Sequence, residues 1–158
     1  MMRLRLPLPA LLALLSALTL SQPLPAATKA PATYGDVTVS EVTSIYDGDT
    51  LRVNIPNWPA IVGSRIPVRV KGIDAPEMRG KCTREITLAR QAKQAAVAMV
   101  RAGKKIELRN LQRDKYFRLL ADVYVDDKSL ADTLLKAGLA YAYQGGTKKS
   151  WCSAEKPK

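Results

Sequence analysis

"RIPVRVKGIDAPEMRG", residues 65–80, is a strand that runs into two acids. Ile66, Val68 and Val70 lie on one face and Arg69 on the other, the period-two pattern of a half-buried strand. Asp74 and Glu77 then stand three apart around Pro76, in a chain with 25 Lys and Arg against 14 Asp and Glu. The segment reads in two ways. It is a turn into a helix, with Asp74 capping and Glu77 in the first turn, or it is a pair of acids kept for chemistry.

Upstream, "DVTVSEVTSIY" (36–46) is β-branched, with Val37 and Val39 in step and Val42 and Ile45 one residue out of step. That slip predicts a bulge or bend. "DGD" at 47–49 is a hairpin-turn signal. "TLRVNI" (50–55) alternates Leu51, Val53 and Ile55 with Arg52 and Asn54, and "PNWPAIVGS" (56–64) reads as a loop. Three strands in a row form a meander.

Downstream, residues 85–102 carry Leu88, Ala89, Ala92, Ala95, Ala96, Met99 and Val100 at helical spacing, with Gly103 as the expected C-cap. "KKIELRNL" (104–111) and "LLADVYVD" (119–126) read as strands around the loop "QRDKYFR" (112–118). Ser129 and Asp132 form a capping box for a second helix that Gly138 ends. The tail from Tyr141 reads as loop with a frayed end. Three strands, a helix, two strands and a helix is the order of an OB-type barrel. The expected class is α+β, mainly β: a five-stranded Greek-key barrel with two or three flanking helices.

A net charge of +11 points to a polyanionic partner, such as nucleic acid, an anionic surface or a phosphorylated substrate. A basic protein with no such partner is the alternative. His is absent, which removes imidazole bases and His-bearing zinc sites. Cys82 and Cys152 are too few for a four-Cys zinc site, so any metal is a hard cation on oxygen ligands.

Arg3 and Arg5 precede a Leu/Ala-rich run to about Leu20 and then a Pro/Ala-rich stretch, the pattern of an export signal. The run falls short of the about 20 apolar residues a membrane span needs, and Pro7 and Pro9 break it. An uncleaved anchor is the alternative. The organisation expected is a signal peptide over 1–27, a polar lead-in over 28–35, one domain over 36–145 and a basic tail over 146–158. Export to the periplasm or the extracellular space predicts that Cys82 and Cys152 pair, closing a long loop worth roughly 4 kcal/mol. Two free thiols are the other possibility.

Four pieces carry candidate chemistry: "YDGDT" (46–50), "VRVKGIDAPE" (68–77), "RDKYFR" (113–118), and Tyr141 with Tyr143. Each alone is commonest as a turn or as packing. In a five-stranded barrel the end of the first hairpin and the end of the third strand meet at one rim, which joins Asp49 to Asp74. Two adjacent carboxylates call for a cation between them, and oxygen-only ligands suit Ca²⁺. Glu77 lies where it can hold or deprotonate a water, and Arg69 and Arg118 offer planar donors for phosphate. Lys71, Arg79, Lys81, Arg84, Arg113, Lys115, Lys148 and Lys149 flank these motifs as a basic rim.

"DGDT", "VRVKGIDAPE" and "DKYFR" resemble, in order and separation, the three active-site motifs of the staphylococcal nuclease family. The resemblance covers roughly residues 36–143. It implies that Asp49, Asp74 and the Ala75 carbonyl bind one Ca²⁺, and that Glu77 is the general base or water-positioning group. Arg69 and Arg118 would hold the scissile phosphate, and Tyr116, Tyr141 and Tyr143 the nucleotide. The implied reaction is hydrolysis of DNA and RNA to 3′-phosphate and 5′-hydroxyl ends, by a monomer. Ala75 replaces a frequent Thr, Phe117 replaces a common Gly before Arg118, and the segment before Tyr141 is shorter. The alternatives are a non-catalytic barrel that binds nucleic acid and, on charge alone, a secreted basic protein that binds anionic surfaces.

Overall fold

The computed structural model describes residues 32–152. The signal expected over 1–27 lies outside the described residues, as do half of the lead-in and the last six residues of the tail. The strands are β1 (Val37–Val39), β2 (Glu41–Ile45), β3 (Thr50–Asn54), β4 (Ile66–Val70), β5 (Ile73–Asp74), β6 (Ile106–Arg113), β7 (Leu119–Val125), β8 (Lys128–Ser129) and β9 (Tyr141–Ala142). The helices are α1 (Ala60–Gly63), α2 (Thr83–Ala102) and α3 (Leu130–Lys136).

The main sheet runs β1-β6-β7-β4-β3-β2, with β8 paired to β7. Only Ser40 separates β1 from β2, yet they occupy opposite ends of that order. The sheet therefore curls until its ends meet, and β1 and β2 act as one strand shared by both. Counted so, the barrel has the five expected strands, and β4 and β7 run parallel. The slip between Val39 and Val42 is the point where the chain passes from β6 to β3, a break rather than a bulge. A second irregularity in the β2–β3 register lies between Val42 and Ser44.

Period-two patterning accounts for the barrel interior. Leu51, Val53, Val68, Val70, Leu108, Ala121 and Val123 are all buried and belong to one core with Leu130 and Leu134 of α3. Each large aliphatic side chain so buried stabilises the fold by about 2 kcal/mol before entropy is counted. Helix α2 adds Ala89, Ala92 and Ala96, all buried. Small residues let it approach closely: a Cβ at Gly48 would lie 2.8 Å from Ala92 Cβ and 2.9 Å from Ala75 Cβ. The Asp-Gly-Asp turn is thus seated on α2 and against the loop after β5, and only glycine leaves the room.

Gly103 caps α2 as expected, its N–H donating to the Met99 carbonyl at 3.2 Å, on extended backbone (φ −86°). A Cβ there would meet Val125 Cγ1 at 2.0 Å, so close packing also requires this glycine. Three expectations need correction. The loop over 56–64 contains α1. The third strand is divided at Lys71–Gly72 into β4 and β5. The tail is not loose: β9 pairs antiparallel with β5, and Trp151 is buried. Ser129 caps α3 as expected, its side chain accepting from the Asp132 N–H.

The Cys82–Cys152 disulfide is present, with Cα atoms 5.9 Å apart and 70 positions between them in sequence. It ties the tail to the N-terminus of α2. No helix among the described residues is long and apolar enough to cross a membrane.

Candidate active site

The rim of the barrel where the turn before β3, the end of β4 and the start of β7 meet carries a cavity of about 730 Å³. Asp47, Asp49, Arg69, Glu77, Asp114, Tyr116, Arg118, Tyr143 and Lys148 are among its walls. Strand pairing brings these together. Thr50 pairs with Arg69, and Arg69 with Leu120, so Asp49 and Arg118, each one residue before its strand, lie on either side of Arg69 on β4.

Asp47, Asp49 and Asp74 are 4, 4 and 3% exposed, a concentration of buried acid that needs partners. Arg69 supplies one: Nη1 is paired with Asp49, and Nη2 reaches Asp74 Oδ1 at 3.4 Å and donates to the Ile73 carbonyl at 3.1 Å. Asp49 also accepts from the Ala75 N–H at 2.6 Å and from the Thr50 hydroxyl at 3.1 Å. Asp49, Asp74 and Ala75, expected together from the sequence, are thus joined within one hydrogen-bond network. Burial opposes the charge on Arg69; Asp49, then Asp74 and Asp47, outweigh it, and the guanidinium is held above its ordinary range.

Asp47 belongs to the Asp-Gly-Asp turn and accepts from the Asp49 N–H at 3.1 Å. Burial, and then the neighbouring charges of Asp49 and Glu77, push its carboxyl up to about 7. Three buried carboxylates, a nearby fourth in Glu77 and no His fit a hard divalent cation such as Ca²⁺ on oxygen ligands.

Arg118 faces the cavity from a turn organised by Asp114. One Asp114 oxygen accepts from Arg118 Nε at 2.7 Å, and the other from the N–H groups of Tyr116 and Arg118 at 2.8 and 3.0 Å. Burial raises the Asp114 carboxyl, and these bonds more than reverse it, so it lies below its ordinary value. Phe117 is 82% exposed on a backbone at φ 63°, and beside it the Arg118 guanidinium keeps its bond to Asp114. Tyr116 is exposed at the same lip, with Arg118 5.5 Å from its ring centroid.

The two tail tyrosines part company. Tyr143 lines the cavity, its hydroxyl donating to the Gly146 carbonyl at 3.0 Å. Tyr141 is not among the cavity walls. It stacks on Trp151, ring centroids 3.9 Å apart and planes at 15°, which is a packing role.

Two residues with site contacts lacked a local signal. Glu85 looks like a first-turn helix acid, but it is buried. Its carboxylate accepts from the N–H groups of Lys81 at 2.8 Å and Glu77 at 3.4 Å, so it braces the loop that bears Glu77. Lys148 was one of eight rim cations by sequence. Its Nζ lies 2.7 Å from Asp74 Oδ1 and 3.2 Å from Glu77 Oε1.

A curled five-stranded barrel with acids and arginines on one rim defines the class to which comparison points. Residues 67–157 match the family model described as staphylococcal nuclease homologue. The chain belongs to that family. Endonuclease YncB of Bacillus subtilis (strain 168) is 40% identical over 107 residues, covering 65% of this chain and 48% of that protein. The SPbeta prophage-derived endonuclease YokF of the same organism is 38% identical over 118 residues, covering 72% and 37%. The probable endonuclease LCL3 of Colletotrichum graminicola is 31% identical over 137 residues, covering 74% and 50%. The chain spans half or less of the length of each of these relatives.

Proposed function

We propose that this chain is an exported, Ca²⁺-dependent nuclease that hydrolyses DNA and RNA with low sequence specificity, leaving 3′-phosphate and 5′-hydroxyl ends. The observation that carries the reading is the set Asp49, Glu77, Arg69 and Arg118 around one cavity, with Asp74 paired to Arg69 behind it, in a barrel of this family. Similar proteins named endonucleases support the reaction class. The disulfide supports an oxidising compartment, hence export.

Asp49, Asp74 and the Ala75 carbonyl would hold the ion. When bound, it supplies charge neutralisation and polarisation of the phosphoryl group. Arg69 and Arg118 orient non-bridging oxygens and stabilise the charge that builds on them. Glu77 positions a water and accepts its proton as the oxygen–phosphorus bond forms. The bond from phosphorus to the 5′-oxygen breaks, and that oxygen takes a proton from solvent. Tyr116 and Tyr143 line the nucleotide end of the cavity. The enzyme acts as a monomer.

The test is release of acid-soluble nucleotide from DNA and RNA, with Ca²⁺ and with chelator, followed by end-group analysis. Activity with Ca²⁺ alone and 3′-phosphate products are expected. Equal activity under both conditions, or none in either, counts against the reading. Binding without turnover would favour a non-catalytic barrel.

A further inference from the structure

Lys148 and Arg69 meet the acid cluster in the same way. Each is a cation on the cavity wall that neutralises carboxylates, and they share one oxygen, Asp74 Oδ1.

A lysine ordinarily loses much side-chain entropy when it is fixed in place. Here the chain on both sides is tethered. Before Lys148, β9 pairs with β5, placing Tyr141 opposite Asp74 in the register. The Tyr143 N–H donates to the Gly72 carbonyl at 2.9 Å. After Lys148, Trp151 is buried against Tyr141, and Cys152 is bonded to Cys82 at the start of α2. The segment is a strap across one side of the cavity, with Lys148 as its inward-reaching cation.

We infer that Lys148 is a third phosphate-binding cation of the active site, delivered by the disulfide-anchored tail. The inference rests on the nuclease reading. A dication on Asp49 and Asp74 would take the charge that Lys148 now serves and would repel the ammonium. The substrate phosphate is then the anion within its reach, as it is for Arg69. A lysine offers a point charge rather than a fork, so it suits a phosphate oxygen beside the one that the arginines orient.

The experiment measures binding of a cleavage-resistant single-stranded phosphorothioate oligonucleotide over a salt series, with Ca²⁺ present. Wild-type protein is compared with Lys148→Gln, Lys148→Arg and Lys128→Gln, the last on β8 beside the far end of β7. Lys148→Gln is expected to weaken binding about tenfold and to lower the salt slope by about 0.7, the value of one single-strand phosphate contact. Lys148→Arg should retain most of both, and Lys128→Gln should change neither. Cys82→Ser/Cys152→Ser should lose as much as Lys148→Gln, and adding Lys148→Gln to it should cost little more. An unchanged slope in Lys148→Gln, in a protein whose wild type cleaves nucleic acid, overturns the inference and leaves the nuclease reading standing. Loss in Lys148→Gln with full additivity to the cysteine pair overturns delivery by the disulfide. A wild type that neither binds nor cleaves removes both readings.

Discussion

Glu85 and Glu77 are joined through the backbone: the buried carboxylate of Glu85 accepts from the Glu77 N–H at 3.4 Å and the Lys81 N–H at 2.8 Å. A helix residue thereby fixes the loop that presents the acid at the cavity. The same loop packs tightly, since a Cβ at Gly80 would lie 2.5 Å from Glu85 Cγ. Glu85→Ala should lower kcat by about tenfold or more with a smaller change in KM, because it misplaces Glu77 rather than removing a substrate contact. Glu85→Gln, which keeps an acceptor, should recover much of the loss. A pure KM effect, or no recovery by Gln, would contradict a positioning role.

Glu77 itself is half exposed and ion-paired with Lys148, as suits a group that must meet water. Glu77→Gln should reduce turnover by roughly 10²–10⁴-fold, the usual contribution of a general base. Oligonucleotide binding should persist, since the arginines are untouched. Single-turnover rates and equilibrium binding separate the two effects, and unchanged turnover would remove Glu77 from the chemistry.

Asp47 is a support for the turn that carries Asp49, its carboxyl accepting from the Asp49 N–H. Calcium should raise the melting temperature of the wild-type protein, and chelation should reverse this. Asp47→Asn should weaken Ca²⁺ affinity by about tenfold, as loss of an outer-sphere partner does. Calorimetric titration gives the number; equal affinity in the two proteins would deny Asp47 that role.

The Asp114 turn gives a pH dependence with a defined sign. Asp114 has a folded pKa below its ordinary value of 3.8, because its bonds to Arg118 and the backbone outweigh burial. Its contribution is therefore complete above the unfolded value and is lost as pH falls below 3.8 through the lowered one. The Arg118 Nε–H signal in an NMR titration should hold steady from neutral pH to about 4 and shift only below it. A transition near neutrality would show that the Asp114–Arg118 bond does not order this turn.

The barrel was legible in sequence because alternation needs only neighbours: Leu51, Val53, Val68 and Val70 announce their face one residue at a time. Asp49, Arg69, Asp74, Glu77 and Arg118 were legible because their motifs are contiguous. What escaped depends on contacts across long separations. Lys148 looks like any tail lysine until β9 pairs with β5 and Cys152 reaches Cys82. Tyr141 resembled a pocket aromatic, and only Trp151, ten residues on, shows that its ring is already used. Gly103 stands where a helix cap belongs, while its second constraint, Val125, lies on another element.

Phe117 combines two costs. A bulky residue at φ 63° carries left-handed strain, and its ring is 82% exposed, so packing returns little. Phe117→Gly should therefore stabilise the fold by about 1 kcal/mol, less the entropy that glycine adds to the unfolded chain. The turn should survive, because its bonds run through the Phe117 backbone: the N–H donates to the Asp114 carbonyl, and the carbonyl accepts from Arg113. Strain retained beside a site suggests use, and an aromatic ring at the lip offers a face for base stacking worth about 1–3 kcal/mol. Phe117→Gly should then melt higher and bind single-stranded oligonucleotide more weakly, while Phe117→Tyr keeps the binding. Denaturation and anisotropy on the same three proteins decide it. Higher stability with unchanged binding would leave the ring without a substrate role.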